Sequence, residues 1–505
     1  MKIKIWLFAA LFAAAGMASC SDDKTVEEPI TPPDPKPEIN EVAVNKAVDG
    51  YMKSHYLWNA EYKTLTPDFN LDYDKFLRVG LDGVAAQNKA NKEDGYTMDG
   101  KHYYYSYITR NDPRSAASMS ATRAGDVRFG YGLSGVVPGN INGNIYIGIL
   151  GVIDGSPAAK ADLSRGTYIT QVDGVAITQA NYDALYKKLF PKDNASVQLK
   201  IASVIPDANN KLTVTSKGTK TLKAGRYEYN PILFATVATS KSDASLKVGY
   251  LVYNQFMMDY DEALIGTFKA MTNFAEGALS DLILDLRYNQ GGHLISSTVL
   301  GTLVAGESKN DQIFCATEFN AERMKKEKGS IYKIGNTKTP EITYPLMAQA
   351  LANAVNLKRI YVLTGPYTAS ASELIINGLR GLDIEVRLIG DKTNGKNVGM
   401  EGVGIKGEKG YTYDFYPITM RLKNAKDFSD YSAGFQPDIL VEDSDSFVIG
   451  AYGSAVDPLF GYAFSWIKEG KKPEISSTRA TPIAVGEPRI IEPLYKGSIT
   501  SVKTL

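Results

Sequence analysis

Between residues 359 and 399 the apolar side chains fall in short runs whose spacing changes twice. Arg359 to Gly365 is a β-branched and aromatic run closed by Gly365-Pro366, which predicts a strand. From Ser370 to Leu379 the apolar positions recur at helical spacing, and Glu385 to Ile389 is a second buried run. Strand, short helix and strand make a βαβ unit, whose right-handed crossover sets the two strands parallel. Ser370, past the first strand, and Lys396, past the second, are then expected on one edge of the sheet. Leu279 to Arg287 is nearly continuously apolar, broken by Asp281 and Asp285. That pattern predicts a strand covered on both faces, as in a parallel sheet between helices. It ends in Tyr288-Asn289-Gln290-Gly291-Gly292, whose paired glycines predict a turn that lets backbone approach a ligand.

Upstream the pattern differs. Helical spacing at Val42, Val44, Val48, Tyr51 and Met52, and again at Tyr73, Phe76 and Leu77, predicts a small, mainly helical segment ending in the aromatic run Tyr103-Tyr104-Tyr105. Ser115 to Thr122 reads as a small-residue linker. Arg128 to Ser203 alternates as strands do, with one helix from Gln179 to Phe190, and a further helix is expected from Asp261 to Glu276. The fold class is therefore α/β and multidomain.

Composition narrows the chemistry. Formal charge sums to zero with no long basic run, which argues against a nucleic-acid partner. Three histidines, and neither a C-x-x-C nor an H-E-x-x-H pattern, argue against a zinc site, and no cofactor motif stands out. No serine sits in a G-x-S-x-G elbow. Ser370 needs a base to become a nucleophile, and a desolvated lysine serves, because burial disfavours the ammonium form. The amide of Ala371, at the helix start, would face an acyl oxyanion. Ser370-Ala371-Ser372-Glu373 also spells a helix capping box, a purely structural alternative. A Ser-His pairing would draw on His293, since His55 and His102 lie far upstream.

DLRYNQGG, TASASELI and GDKTNGKNVG, in that order, resemble the three core motifs of the C-terminal processing (tail-specific) serine peptidases. The resemblance implies a ClpP/crotonase-like α/β protease core over residues 230–470. It makes Ser370 the nucleophile and Lys396 the general base, with oxyanion-hole amides from Ala371 and one of Gly291 or Gly292. Many members carry a glutamine four residues after the lysine, where this chain has Met400; Glu373 or Glu401 is the expected substitute in support of the lysine. Residues 124–229 resemble a PDZ-like domain and connector. Within them Gly130, Tyr131, Gly132 and Leu133 form the expected peptide-binding loop, whose amides receive a chain-terminal carboxylate while the peptide adds a strand. Protein or peptide substrates are implied, and no metal or cofactor. A weak or inactive peptide-binding protein on the same fold is the alternative, kept open by Met400.

Lys2 and Lys4 precede an apolar run, Ile5 to Ala15, that is too short to span a bilayer and fits a signal peptide. Met17-Ala18-Ser19-Cys20 resembles a bacterial lipoprotein cleavage box, so residues 1–19 are expected to be removed and Cys20 lipidated. Ser21-Asp22-Asp23-Lys24 resembles the acidic tract of surface-exported Bacteroidetes lipoproteins, which implies attachment to the outer membrane, facing outward, with a periplasm-facing anchor as the alternative. Residues 20–39, rich in proline and acid, read as a tether, residues 40–123 as the amino-terminal domain, and residues 471–505 as a tail without assignment. With Cys20 lipidated, Cys315 has no disulfide partner in the chain.

Overall fold

A six-stranded sheet carries the core, in the order Ile232–Thr239, Lys247–Tyr253, Asp281–Asp285, Arg359–Thr364, Glu385–Gly390, Ile439–Leu440. The first pair is antiparallel and the rest are parallel, with Arg359 opposite Glu385 through Thr364 opposite Gly390, as the βαβ reading requires. This computed structural model describes residues 39–474 apart from 88–92, 99, 114–125, 207–210, 241, 242, 244, 339–342, 442–447 and 455. The expected signal peptide, Cys20, the tether up to residue 38, the Ser115 to Thr122 linker and the tail beyond 474 lie outside the described residues.

Period-two alternation explains why the central strands are apolar throughout. Leu282 and Leu284 point to helices Asp261–Phe274, Leu294–Ala305 and Ala371–Gly381, while Ile283 points to the opposite face. That second face is covered by helix Pro458–Glu469, through Leu459, Phe460 and Phe464. At about 2 kcal/mol for each fully buried aliphatic side chain, such burial outweighs the local preferences of a five-residue strand. The two aspartates that break the pattern are paired. Asp281 accepts from Arg359 Nε at 2.6 Å, and Asp285 accepts from Tyr250 Oη at 2.9 Å and from Arg287 Nη2 at 2.8 Å. Arg287, fully buried, reaches on to Asp457 at 2.8 Å, the residue just before the covering helix.

The amino-terminal segment contributes helices Val42–His55 and Tyr73–Gln87, a hairpin of strands Gly95–Met98 and Lys101–Tyr104, and strand Tyr107–Asn111. It does not stand apart from the core. Tyr107–Asn111 pairs antiparallel with Thr412–Tyr416, and the Leu57 N–H donates to the Ile418 carbonyl at 2.9 Å. The PDZ-like part is an antiparallel sheet in the order Leu212–Lys223, Ser196–Pro206, Tyr168–Val172, Asn144–Val152, Leu133–Ile141, with helix Tyr182–Lys188 packed on it through Leu185. Leu133–Ile141 is an edge strand. Arg165 docks this part on the core, donating to the Gly450 carbonyl at 2.9 Å and to Tyr288 Oη at 3.2 Å.

Candidate active site

Ser370 stands at the junction of strand Arg359–Thr364 and helix Ala371–Gly381 with φ 56° and ψ −116°. A residue with a Cβ rarely adopts positive φ, and holding one there stores on the order of 1–3 kcal/mol, so the neighbourhood must over-determine the turn. It does. The Asn289 carbonyl accepts from the Ala369 N–H at 3.2 Å and from the Ser372 hydroxyl at 2.9 Å, and the Thr368 hydroxyl donates to the Leu286 carbonyl at 2.8 Å. Ser372 is thereby buried and committed, whereas Ser370 keeps partial exposure at the mouth.

Both expected glycines reach this turn, with different consequences. A Cβ on Gly291 would lie 2.8 Å from Ser370 Cβ and 2.9 Å from the Ala371 nitrogen, so only glycine permits the approach. Its N–H, however, donates to Asn289 Oδ1 at 2.8 Å. Gly292 sits opposite Phe256 in a parallel bridge in which Phe256 bonds to Gly291 O at 2.9 Å and to the His293 N–H at 3.0 Å, so the Gly292 amide points away from that strand. Among the described residues, neither the Gly292 N–H nor the Ala371 N–H donates to a protein acceptor. The geometry thus leaves Gly291 as the close-approach residue and Gly292 with Ala371 as the unspent amides. Asn289, which sequence reasoning left without a role, is the organiser: fully buried, it also donates from Nδ2 to the Tyr253 carbonyl at 2.8 Å.

Lys396 is brought to the same edge. The Glu373 carboxylate is the clamp, accepting from the Ser370 N–H at 3.1 Å, the Lys396 N–H at 2.7 Å, the Gly395 N–H at 2.6 Å and the Thr393 hydroxyl at 2.7 Å. Burial pushes Glu373 up to about 7, against the pull of those four donors. The Asn394 N–H, donating to the Thr368 carbonyl at 2.9 Å, ties the lysine loop to the serine turn a second time. Burial also lowers Lys396 to about 8, opposed by the charges of Asp94 and Glu373. Among the described residues, no hydrogen bond joins the Ser370 hydroxyl to Lys396 Nζ; the amine lies 4.9 Å from the centre of the Tyr105 ring.

Glu401 does not support the lysine: it is paired with Arg323, at 2.9 Å between Oε1 and Nη2. His293 is exposed and starts helix Leu294–Ala305. Cys315 is fully buried, its thiol pushed up to about 12, as a small core residue. In the PDZ-like part, the carbonyls of Tyr131 and Gly132 accept from the Ala158 and Ile153 amides at 2.8 and 2.9 Å. Gly130 and Gly132 have φ 140° and 83°, and Leu133 opens the edge strand. Arg128, just before this loop, donates to Gln255 Oε1 at 3.2 Å, beside the Phe256–Gly292 bridge.

Residues 247–441 match the model of peptidase family S41. A Staphylococcus aureus (strain COL) protein named "Probable CtpA-like serine protease" is 24% identical over 343 residues, 67% of this chain and 55% of its own. Its counterpart in the bovine strain RF122 / ET3-1 is 23% identical over 367 residues, 71% of this chain and 60% of its own. The chain therefore spans little more than half the length of these curated relatives. A crystal structure of a candidate S41 protease from Bacteroides fragilis NCTC 9343 superposes with a TM-score of 0.64 at 24% identity, covering 87% of this chain and 99% of that one, which places the fold.

Proposed function

We propose that the protein, whose residues 247–441 match the model of peptidase family S41, is a serine endopeptidase of the C-terminal processing type, working through Ser370 and Lys396. Neutral Lys396 takes the hydroxyl proton of Ser370, and the alkoxide attacks a peptide carbonyl. The Ala371 and Gly292 amides receive the oxyanion; the lysine then protonates the leaving amine, and water releases the acyl group. The missing hydroxyl-to-amine bond fits a resting enzyme, because such contacts often tighten only in the substrate complex. The observation that carries this reading is the positive-φ serine flanked by two unspent amides, with a desolvated lysine loop clamped to it by Glu373.

A serine-directed fluorophosphonate tests it. Labelling is expected in the native protein and in Ser372→Ala, and lost in Ser370→Ala; labelling that survives Ser370→Ala overturns the assignment. The edge strand Leu133–Ile141 and its glycine loop support capture of a peptide carboxyl end as an added strand. Peptides with blocked carboxyl ends should then show a higher KM, and equal KM values would remove that role. The Cys20 reading supports a lipid anchor in the outer membrane, facing outward. Radiolabelled palmitate should mark the native protein and not Cys20→Ala, and external protease should reach it on intact cells. Among the described residues, no helix is long and apolar enough to cross a membrane.

A further inference from the structure

The catalytic lysine of the proposed dyad is enclosed from a direction that its own motif does not supply. Tyr105, buried, puts its ring 4.9 Å from Lys396 Nζ and donates its hydroxyl to Asn394 Oδ1 at 2.5 Å, two residues before the lysine. Tyr96 packs against Tyr105 with ring centres 5.7 Å apart, so the hairpin that begins at Gly95 backs the ring. Asp94, also buried, is held by three donors: the Ser106 N–H at 2.8 Å, the Ser106 hydroxyl at 2.6 Å and the Tyr56 hydroxyl at 2.8 Å. Its carbonyl accepts from the Tyr105 N–H at 3.2 Å. The Ser106 hydroxyl in turn accepts from the Ile418 N–H at 2.9 Å, which anchors the group on the core strand Ile418–Lys423.

Building on the Ser370–Lys396 reading, we infer that Tyr105 and Asp94 are positioning residues for Lys396: the ring and hydroxyl of Tyr105 seat its amine and loop, and the Asp94 carboxylate supplies the opposing charge. The chemistry is that of a cation over an aromatic face with a buried counter-ion nearby. Both interactions favour the ammonium, so both raise the affinity of the neutral lysine for the proton it takes from Ser370 and steady the ammonium that results. The charged groups that act on Lys396 are Asp94 and Glu373. Glu373 spends its oxygens on backbone amides and Thr393, while neighbouring Glu93 is paired with Arg421 on strand Ile418–Lys423. Tyr105 itself stays neutral, since burial raises its phenol. Met400, where an orienting side chain was expected, lies in strand Val398–Met400 opposite Ile418. The orienting task passes to residues some three hundred positions upstream.

The test is competitive acetylation of Lys396 in the full-length protein, followed by mass spectrometry from neutral to strongly alkaline pH, alongside kcat and KM on a peptide. Asp94→Asn and Tyr105→Leu should each move the lysine's titration, and the acid limb of kcat, downward by about one pH unit. Tyr105→Phe keeps the ring and should leave the titration in place while lowering kcat about fivefold through the lost Asn394 bond. Tyr105→Phe also guards against misfolding in the other two, and thermal melting identifies any that fail. An active native enzyme whose lysine titrates identically in every folded variant overturns the inference. A native protein that neither cleaves peptides nor takes up fluorophosphonate instead removes the peptidase reading, whatever the titrations show.

Discussion

Replacing Asn289 with alanine should damage stability and turnover together, and the structure sets the size of each. The side chain is fully buried and makes two hydrogen bonds, accepting from the Gly291 N–H at 2.8 Å and donating to the Tyr253 carbonyl at 2.8 Å. Alanine leaves both backbone partners buried without a partner, at about 1–3 kcal/mol each, so a loss of about 3 kcal/mol is expected once the loop relaxes. That is a large share of the roughly 5–15 kcal/mol that holds a typical domain. Turnover should suffer separately. The Gly291 N–H bond fixes the Gln290–Gly291 peptide, just before the one that carries the Gly292 amide, and a freed turn no longer aims that amide at the oxyanion. Loss of one such donor lowers kcat by about a hundredfold or more, and KM should stay within about threefold because the donor acts on the transition state. Urea denaturation gives the first quantity and initial rates on a fluorogenic peptide, at a temperature where the variant is folded, give the second. A folded variant with native kcat would show that the paired-glycine turn holds its shape without Asn289, and the oxyanion assignment built on it would fall.

Two further outcomes follow from the same arrangement. Lys396→Met should raise the unfolding free energy at neutral pH by about 2 kcal/mol, less than the full shift from 10.5 to about 8 implies at about 1.4 kcal/mol per unit. The sign is fixed by the lowered folded-state value: the penalty is complete below about pH 8, where both states carry the proton, and disappears above the ordinary lysine range. Equal stability of the two proteins by urea titration at neutral pH would contradict a desolvated lysine. Arg287→Ala should cost about 4 kcal/mol in the same assay, since it removes the buried guanidinium that Asp285 and Asp457 share; a loss under about 1 kcal/mol would mean that water replaces the guanidinium.

The residues around the site differ in how far their neighbours in sequence reveal them. Ser370, Lys396 and the glycine pair lie at the ends of strands whose nearly continuous apolarity is written into consecutive residues, and a parallel βαβ unit carries such ends to one edge. Their convergence was therefore legible. The division of labour within the glycine pair was not, because it turns on which amide Asn289 and Phe256 engage, a matter of peptide orientation that leaves no mark in composition. Helix Pro458–Glu469 also escaped notice, although its burial of Phe460 and Phe464 completes the second face of the sheet.

By itself the sequence determined the parallel sheet edge and the serine and lysine placed on it, because each follows from local periodicity and short-range turn chemistry. The tertiary structure alone decided what surrounds the lysine. Tyr105 reaches it, with Asp94 behind, because the amino-terminal segment docks on the core, where strand Tyr107–Asn111 pairs with Thr412–Tyr416 and Ser106 holds the Ile418 N–H, contacts between segments about three hundred residues apart. Contacts of that kind arise from how whole elements pack, and no run of neighbouring residues encodes them.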